Sequence, residues 1–139
     1  IMMHMSGNPQ NMQKSPKYKD VVIELINYLA KKVKFARDNG IVDLVIDPGF
    51  GFGKTIQHNY QLLNNLDKFK ILDIPILVGF SRKSMIYKTL KTSAENSLNG
   101  TTCLNTIALM KGANILRVHD VKQAKECIIL YEKTNSALI

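Results

Sequence analysis

Four polar clusters hold most of the side chains in this sequence that could do chemistry, and each follows a short apolar run. Asp47-Pro48-Gly49-Phe50-Gly51-Phe52-Gly53-Lys54 follows Leu44-Val45-Ile46. Gly79-Phe80-Ser81-Arg82-Lys83-Ser84 follows Ile76-Leu77-Val78. Arg117-Val118-His119-Asp120 follows Ile115-Leu116, and His4-Met5-Ser6-Gly7-Asn8-Pro9 follows Ile1-Met2-Met3. A carboxylate at the end of an apolar strand costs several kcal/mol to bury unless it is paired or hydrogen-bonded. Asp47 therefore reads as an acceptor for adjacent N–H donors, such as the amidine-like edge of a heterocycle. Its structural alternatives are a helix cap and an ion pair to Lys83. Arg82 and Lys83 stand at a strand-to-helix junction, where the helix N–H groups already favour anions. Cations placed there point to a bound anion or a polar ring; the alternative is that Arg82 faces solvent or pairs with an acid. Arg117 and His119 alternate along a strand end and so face the same way. Beside the free N–H groups of the following helix they make a phosphate or diphosphate site. Asp120 is expected to cap that helix. For His4, a packed strand-end histidine and a ligand role are both open. His58 reads as a structural residue near a helix start.

The glycine-rich loop invites a nucleotide-binding reading, which its spacing rejects. A GxxxxGK[ST] phosphate loop ending in Gly53-Lys54-Thr55 needs glycine at position 48, where this chain has Pro48. The loop instead lets backbone approach a flat ligand, with Phe52 offering a ring face and Phe50 turned into the core.

These clusters need elements to place them. Apolar positions at helical period follow three of the clusters: Val22, Leu25, Ile26, Leu29, Val33 and Ala36; Leu62, Leu63, Leu66 and Phe69; Val121, Ala124, Cys127, Ile128 and Tyr131. The pattern predicts strands over 1–4, 42–47, 76–79 and 114–118. It predicts helices over 58–69, 81–90 and 98–111, a first helix starting at Ser15-Pro16 and stopped by Asn39-Gly40, and a last one from Asp120. Residues 6–14 read as a loop, and Ser81 as a helix cap. Strand, polar tip and helix, four times over, is the form of parallel βα units. Their carboxyl ends share one side, so the clusters converge. A complete (β/α)8 barrel takes roughly 250 residues. Four units in 139 residues are therefore read as the second half of a barrel. The rival is an open doubly wound sheet, which binds at one switch point; here every strand end carries polar residues.

Composition is that of one globular domain, 45% hydrophobic and 22% charged, with a net charge of +8. The lysines are scattered along helices, with no basic stripe interleaved with aromatics, which disfavours nucleic acid. Two of the few arginines, Arg82 and Arg117, sit at strand ends, where a planar fork does what lysine cannot. No apolar run reaches membrane length, since Ile71 to Phe80 is broken by Asp73 and Pro75. Cys103 and Cys127, at apolar helical positions without metal spacing, read as reduced core residues of a cytoplasmic protein. The chain opens inside an apolar run, as a piece of a longer protein would.

Met3-His4-Met5-x-Gly7-x-Pro9, the Asp47–Lys54 loop, the Gly79–Ser84 cluster and Arg117-Val118-His119-Asp120-Val121 together resemble the motifs of bacterial dihydropteroate synthases, in order and over nearly the whole chain. Other pterin-binding barrels, such as methyltetrahydrofolate-dependent methyltransferases, are similar around Asp47 but not in the last two clusters. The resemblance implies an α/β fold, the C-terminal half of a (β/α)8 TIM barrel, with residues 1–139 a partial pterin-binding domain. It implies a transferase of folate biosynthesis that joins 6-hydroxymethyl-7,8-dihydropterin diphosphate to 4-aminobenzoate with loss of diphosphate. Asp47 would hold the amino-pyrimidine edge of the pterin and Met3 would line its pocket. Lys83 would contact the pterin and order the aminobenzoate site. Arg117 would cover the pterin and, with Val118 and His119 beside it, hold the leaving diphosphate. Gly51, Phe52 and Ser84 would shape the aminobenzoate site, where sulfonamides would compete. Lys83, Arg117 and His119 are the catalytic candidates. A Mg2+ ligand and further pterin ligands would come from the other half, so this half alone is expected to be inactive. The implied partners are small-molecule substrates and a second copy, through helices of this half, with neither nucleic acid nor membrane. A non-catalytic relic or dimerisation module remains the alternative.

Overall fold

Four short strands lie side by side in chain order. In the computed structural model, which describes residues 1–7 and 16–137, β1 (Met2–Met3) pairs in parallel with β2 (Ile46–Asp47), Met2 opposite Ile46 and Met3 opposite Asp47. β3 (Leu77–Val78) pairs in parallel with β4 (Ile115–Leu116). A parallel bridge between Ile46 and Ile76 joins the two pairs, with the Ile46 N–H donating to the Pro75 carbonyl at 2.9 Å. The order β1-β2-β3-β4 has no reversal, so there is no switch point of the doubly wound kind. It is an arc of a barrel. All four carboxyl ends lie on one side of it. The ladders are shorter than the apolar runs that announce them: pairing covers two residues per strand.

Helices return the chain between strands. α1 (Val21–Asp38) buries Val21, Val22, Leu25, Leu29, Val33 and Ala36. It starts later than Ser15-Pro16 suggested; Pro16 is outside the helix, and Ser15, like residues 8–14, lies outside the described residues. Asp20 is the cap, accepting from the N–H groups of Val22 and Ile23 at 2.9 and 3.0 Å. Glu24 reaches back to the N–H groups of Lys19 and Asp20. The helix thus begins where orphan donors find carboxylates, at the onset of the apolar period. The expected helix over 58–69 is two elements, α2 (Ile56–Asn64) and a 3-10 turn (Leu66–Leu72). Asn65 divides them: its side-chain amide donates to the Gln61 carbonyl and competes with the helical ladder. His58 joins Thr55 in a reciprocal cap at the start of α2, a structural role. α3 is the single turn Ser84–Tyr87, α4 runs Leu98–Met110 and α5 Val121–Ser136. Lys83, not Ser81, occupies the position before α3.

The core gathers Leu25, Leu29, Ile46, Leu62, Leu66, Phe69, Ile76 and Val78, with Phe50 and Phe80 ring to ring at 4.5 Å. Cys127 is buried as expected, whereas Cys103 is exposed on α4. That position is apolar by residue type only. Gly100 lets α4 close on α3: a Cβ there would collide with Ile86.

A buried cation fixes the loop after β2 to the end of β1. Gly49 has φ +71°, and a Cβ on it would collide with the His4 carbonyl. The two backbones touch because there is no side chain between them. Lys54, 3% exposed, turns its ammonium inward. It donates to the carbonyls of Gly49 at 2.8 Å and Phe52 at 3.0 Å and to His4 Nδ1 at 3.1 Å. The His4 carbonyl lies further off, at 3.5 Å, so three donors face four acceptors. Burial pushes the Lys54 pKa down to about 7, against the pull of Asp47. Burial, and then the charge on Lys54, push His4 down to about 4. His4 is therefore a packed, neutral acceptor, with its ring edge-on to Tyr28 at 4.9 Å.

Three outcomes are expected for stability. Gly100→Ala should destabilise by about 1–3 kcal/mol through overpacking against Ile86, although alanine is the better helix former; urea unfolding reads this. Lys54→Met should cost about 2–4 kcal/mol by stranding two carbonyls and a ring nitrogen. His4 takes up a proton near pH 6.5 when unfolded but only near pH 4 when folded. The unfolded state binds more protons across that window, so stability is full above it and falls on acidification, by on the order of 1–3 kcal/mol. Unfolding midpoints measured from pH 7 to pH 4 should lose that slope in His4→Gln.

Candidate active site

The strand ends bring one carboxylate and two cations to a common mouth. Asp47 ends β2, and Met3 is its register partner on β1, on the same face. The Asp47 Oδ1 accepts from the Gly49 N–H at 2.7 Å. Burial raises the Asp47 pKa, and the Gly49 N–H and the charges on Lys83, Lys54 and Arg117 oppose the rise. Neither structural alternative for Asp47 is realised. It caps no helix, and among the described residues the ion pairs are Lys34–Asp38 and Arg82–Asp120.

Lys83 lies across the glycine loop. Its Nζ donates to the Phe50 carbonyl and stands 4.6 Å over the Phe52 ring. Burial lowers its pKa to about 8, Asp47 raising it and Arg117 lowering it further. Gly51 makes the crossing possible: at φ +80°, a Cβ there would sit 3.1 Å from Lys83 Cδ. The Gly51 N–H donates to Asn59 Oδ1 at 2.7 Å, and Asn59 is anchored in turn on the Thr55 carbonyl. Ser84 opens α3 and is half-buried.

Arg117 continues β4, its N–H donating to the Val78 carbonyl at 2.8 Å. Its guanidinium passes over Gly79, 3.5 Å from where a Cβ would stand. Arg117, Val118, His119, Ser81, Gly79, Lys83 and Phe52 line one recess of about 300 Å³. Of the residues singled out in the sequence, Phe52, Lys83, Arg117, Val118 and His119 thus share the recess. Asp47 couples to it through charge, Met3 lies beside Asp47 on β1, Gly51 lies against Lys83, and Ser84 opens α3.

One alternative is decided and one expectation fails here. Arg82 is not a free site cation; its pairing with an acid is the reading realised. Its fork grips Asp120 (Nη2–Oδ1 2.8 Å, Nε–Oδ2 3.1 Å) and its Nη1 donates to the Glu95 carbonyl. Asp120 precedes α5 but makes no side-chain cap bond, because its carboxylate is turned to Arg82. Sequence reasoning also missed three residues. Lys54 reads as part of a failed phosphate loop, Ser81 as a cap, and Asn59 has no reading at all. The one available signal was Lys54 between a glycine turn and an apolar helix, a costly place for a cation without acceptors. Among the described residues no group of three or more His, Cys, Asp or Glu could hold a metal ion. No helix among them is long and apolar enough to cross a membrane.

Known proteins match this arrangement. The family described as pterin binding enzyme matches residues 1–119. Dihydropteroate synthase of Escherichia coli (strain K12) is 46% identical over 138 residues, 98% of this chain and 49% of that protein. A Yersinia pestis dihydropteroate synthase solved with a sulfonamide drug superposes with a TM-score of 0.94 at 42% identity, covering 97% of this chain and 50% of that one. The Thermus thermophilus enzyme, solved with 6HMPPP and with 4-aminobenzoate, superposes at 0.90 and 0.89 with 38% identity, over 94% of this chain and 53% and 54% of those. The chain spans about half the length of these relatives. Four parallel βα units in unbroken order and a family match over residues 1–119 lead to one conclusion: the chain belongs to the pterin-binding enzyme family and forms half of a (β/α)8 barrel.

Proposed function

We propose that this chain supplies the diphosphate site and one wall of the pterin site of a dihydropteroate synthase. The reading rests above all on Lys83, Arg117 and His119 around one recess, with Asp47 at its side. The substrates would be 6-hydroxymethyl-7,8-dihydropterin diphosphate and 4-aminobenzoate. The C–O bond to the diphosphate breaks and its electron pair leaves with the diphosphate. The aniline nitrogen forms the new C–N bond and then loses a proton. Arg117, with a fork suited to phosphate oxygens, and His119 take up the leaving charge. Cations already in place need no rearrangement as that charge develops. Asp47 accepts from the pterin's amino-pyrimidine edge, and the flat ring lies between Met3 and Arg117. Lys83 contacts the pterin and, lying on Phe52, holds one wall of the aminobenzoate site with Gly51 and Ser84. The weak nucleophile gains from placement more than from activation. Relatives solved with 6HMPPP and with 4-aminobenzoate support this substrate pair. Val118 fills the recess wall between Arg117 and His119. The remaining pterin ligands and any Mg2+ belong to the other half of the barrel. A homodimer in the cytoplasm completes the reading, with exposed Ile107 and Met110 of α4 and Ile129 and Leu130 of α5 as its apolar surface.

In a complete barrel carrying this half, Arg117→Ala should weaken diphosphate binding by about 1.5–3 kcal/mol, and Arg117→Lys should recover part. Titration calorimetry giving equal affinities for all three proteins would sink the assignment. The 139-residue chain alone should form no dihydropteroate, and an active monomer by product assay and light scattering would overturn the division of the site between halves.

A further inference from the structure

We propose that Ser81 is a positioning residue that fixes the tautomer of His119, so that the ring presents Nε2–H to the anion in the recess. This deepens the reading of the recess as a diphosphate site and rests on it. Ser81, at the end of the β3 run, is 6% exposed. Both of its side-chain hydrogen bonds among the described residues come from one residue at the end of the neighbouring strand run. The His119 backbone N–H donates to Ser81 Oγ at 3.2 Å, and His119 Nδ1 lies 2.9 Å from the same oxygen.

A hydroxyl has one proton to donate and two lone pairs to accept with. The backbone N–H can only donate, so it takes one lone pair. If the neutral ring carried its proton on Nδ1, that N–H would take the second. The serine proton would then have no protein acceptor among the described residues, a loss of the kind that folded proteins avoid. With the proton on Nε2, the hydroxyl donates to Nδ1 and accepts from the backbone, and every group is satisfied. The neighbouring carboxylate does not compete for Nδ1, because Asp120 is held by the fork of Arg82. The two contacts are successive rungs, 81 to 119 and 82 to 120, and they set both the position and the proton of the ring. Phosphate oxygens only accept hydrogen bonds, so the tautomer Ser81 selects is the one that can bind them.

The test uses a complete enzyme carrying this half, with 15N-labelled histidine. Long-range 1H–15N spectra at about pH 8, where an ordinary imidazole is neutral, identify His119 by its loss in His119→Gln. The expected wild-type pattern is Nε2–H alone. Ser81→Ala should give a mixture of tautomers and weaken diphosphate binding by roughly three- to tenfold, with thermal unfolding recorded to separate misfolding. Ser81→Thr, which keeps the hydroxyl, should restore both. A wild-type ring protonated on Nδ1, or a Ser81→Ala ring that keeps pure Nε2–H, overturns the proposal and requires no mutant activity to read. Absence of diphosphate binding by the wild type would instead overturn the functional reading, while the spectra still decide the role of Ser81.

Discussion

The loop after β2 rests on a buried ammonium. Lys54 is bound to two loop carbonyls and to the His4 ring, and this explains how a run of alternating glycine and phenylalanine holds one conformation. Glycines give the loop access to left-handed backbone and to contact with β1, but they also make it entropically costly to order. A charge withdrawn from water binds its acceptors strongly and leaves no cheap alternative arrangement. Phe50 is thereby driven into the core and Phe52 toward the recess. Lys83 finds the Phe50 carbonyl where it needs a partner.

The cations at the strand ends divide the work by the company they keep. Arg82 commits its fork to Asp120 and the Glu95 carbonyl, so it ties the loop after β3 to the one after β4. Lys83 and Arg117 have no acid within ion-pair distance among the described residues. Lys83 is held instead by the Phe50 carbonyl and the Phe52 ring, and Arg117 by its backbone bond to the Val78 carbonyl. Lys83 carries a cost, since burial lowers its pKa toward 8. The distance-dependent attraction of Asp47 offsets part of it.

The placement of these groups depends on the parallel sheet. Register between β1 and β2 puts Met3 beside Asp47, and the N–H of Arg117 on the Val78 carbonyl sets Arg117 over Gly79. A slip of one residue would turn either side chain to the other face. The strands themselves are short, and the helices supply most of the packing through α1, α2 and the 3-10 turn.

Residue order was enough to define the four βα units, the sharing of one side by their polar tips, the burial of Phe50 and the structural role of His58. These follow from local periodicity, from turn residues and from the handed, parallel logic of the unit, none of which needs a distant partner. Helix limits at Asp20 and Asn65 were less legible, because side chains competing for backbone donors and acceptors decide them. Which charges are committed and which are kept emerged from the folded arrangement alone. Arg82 pairs with Asp120 from another loop, Ser81 turns from cap to partner of His119, Lys54 is drawn inside, and Cys103 is left outside. Residue type and spacing fix what a side chain can do. The company it keeps is fixed by contacts remote in sequence, and for a charged group that company determines its free energy.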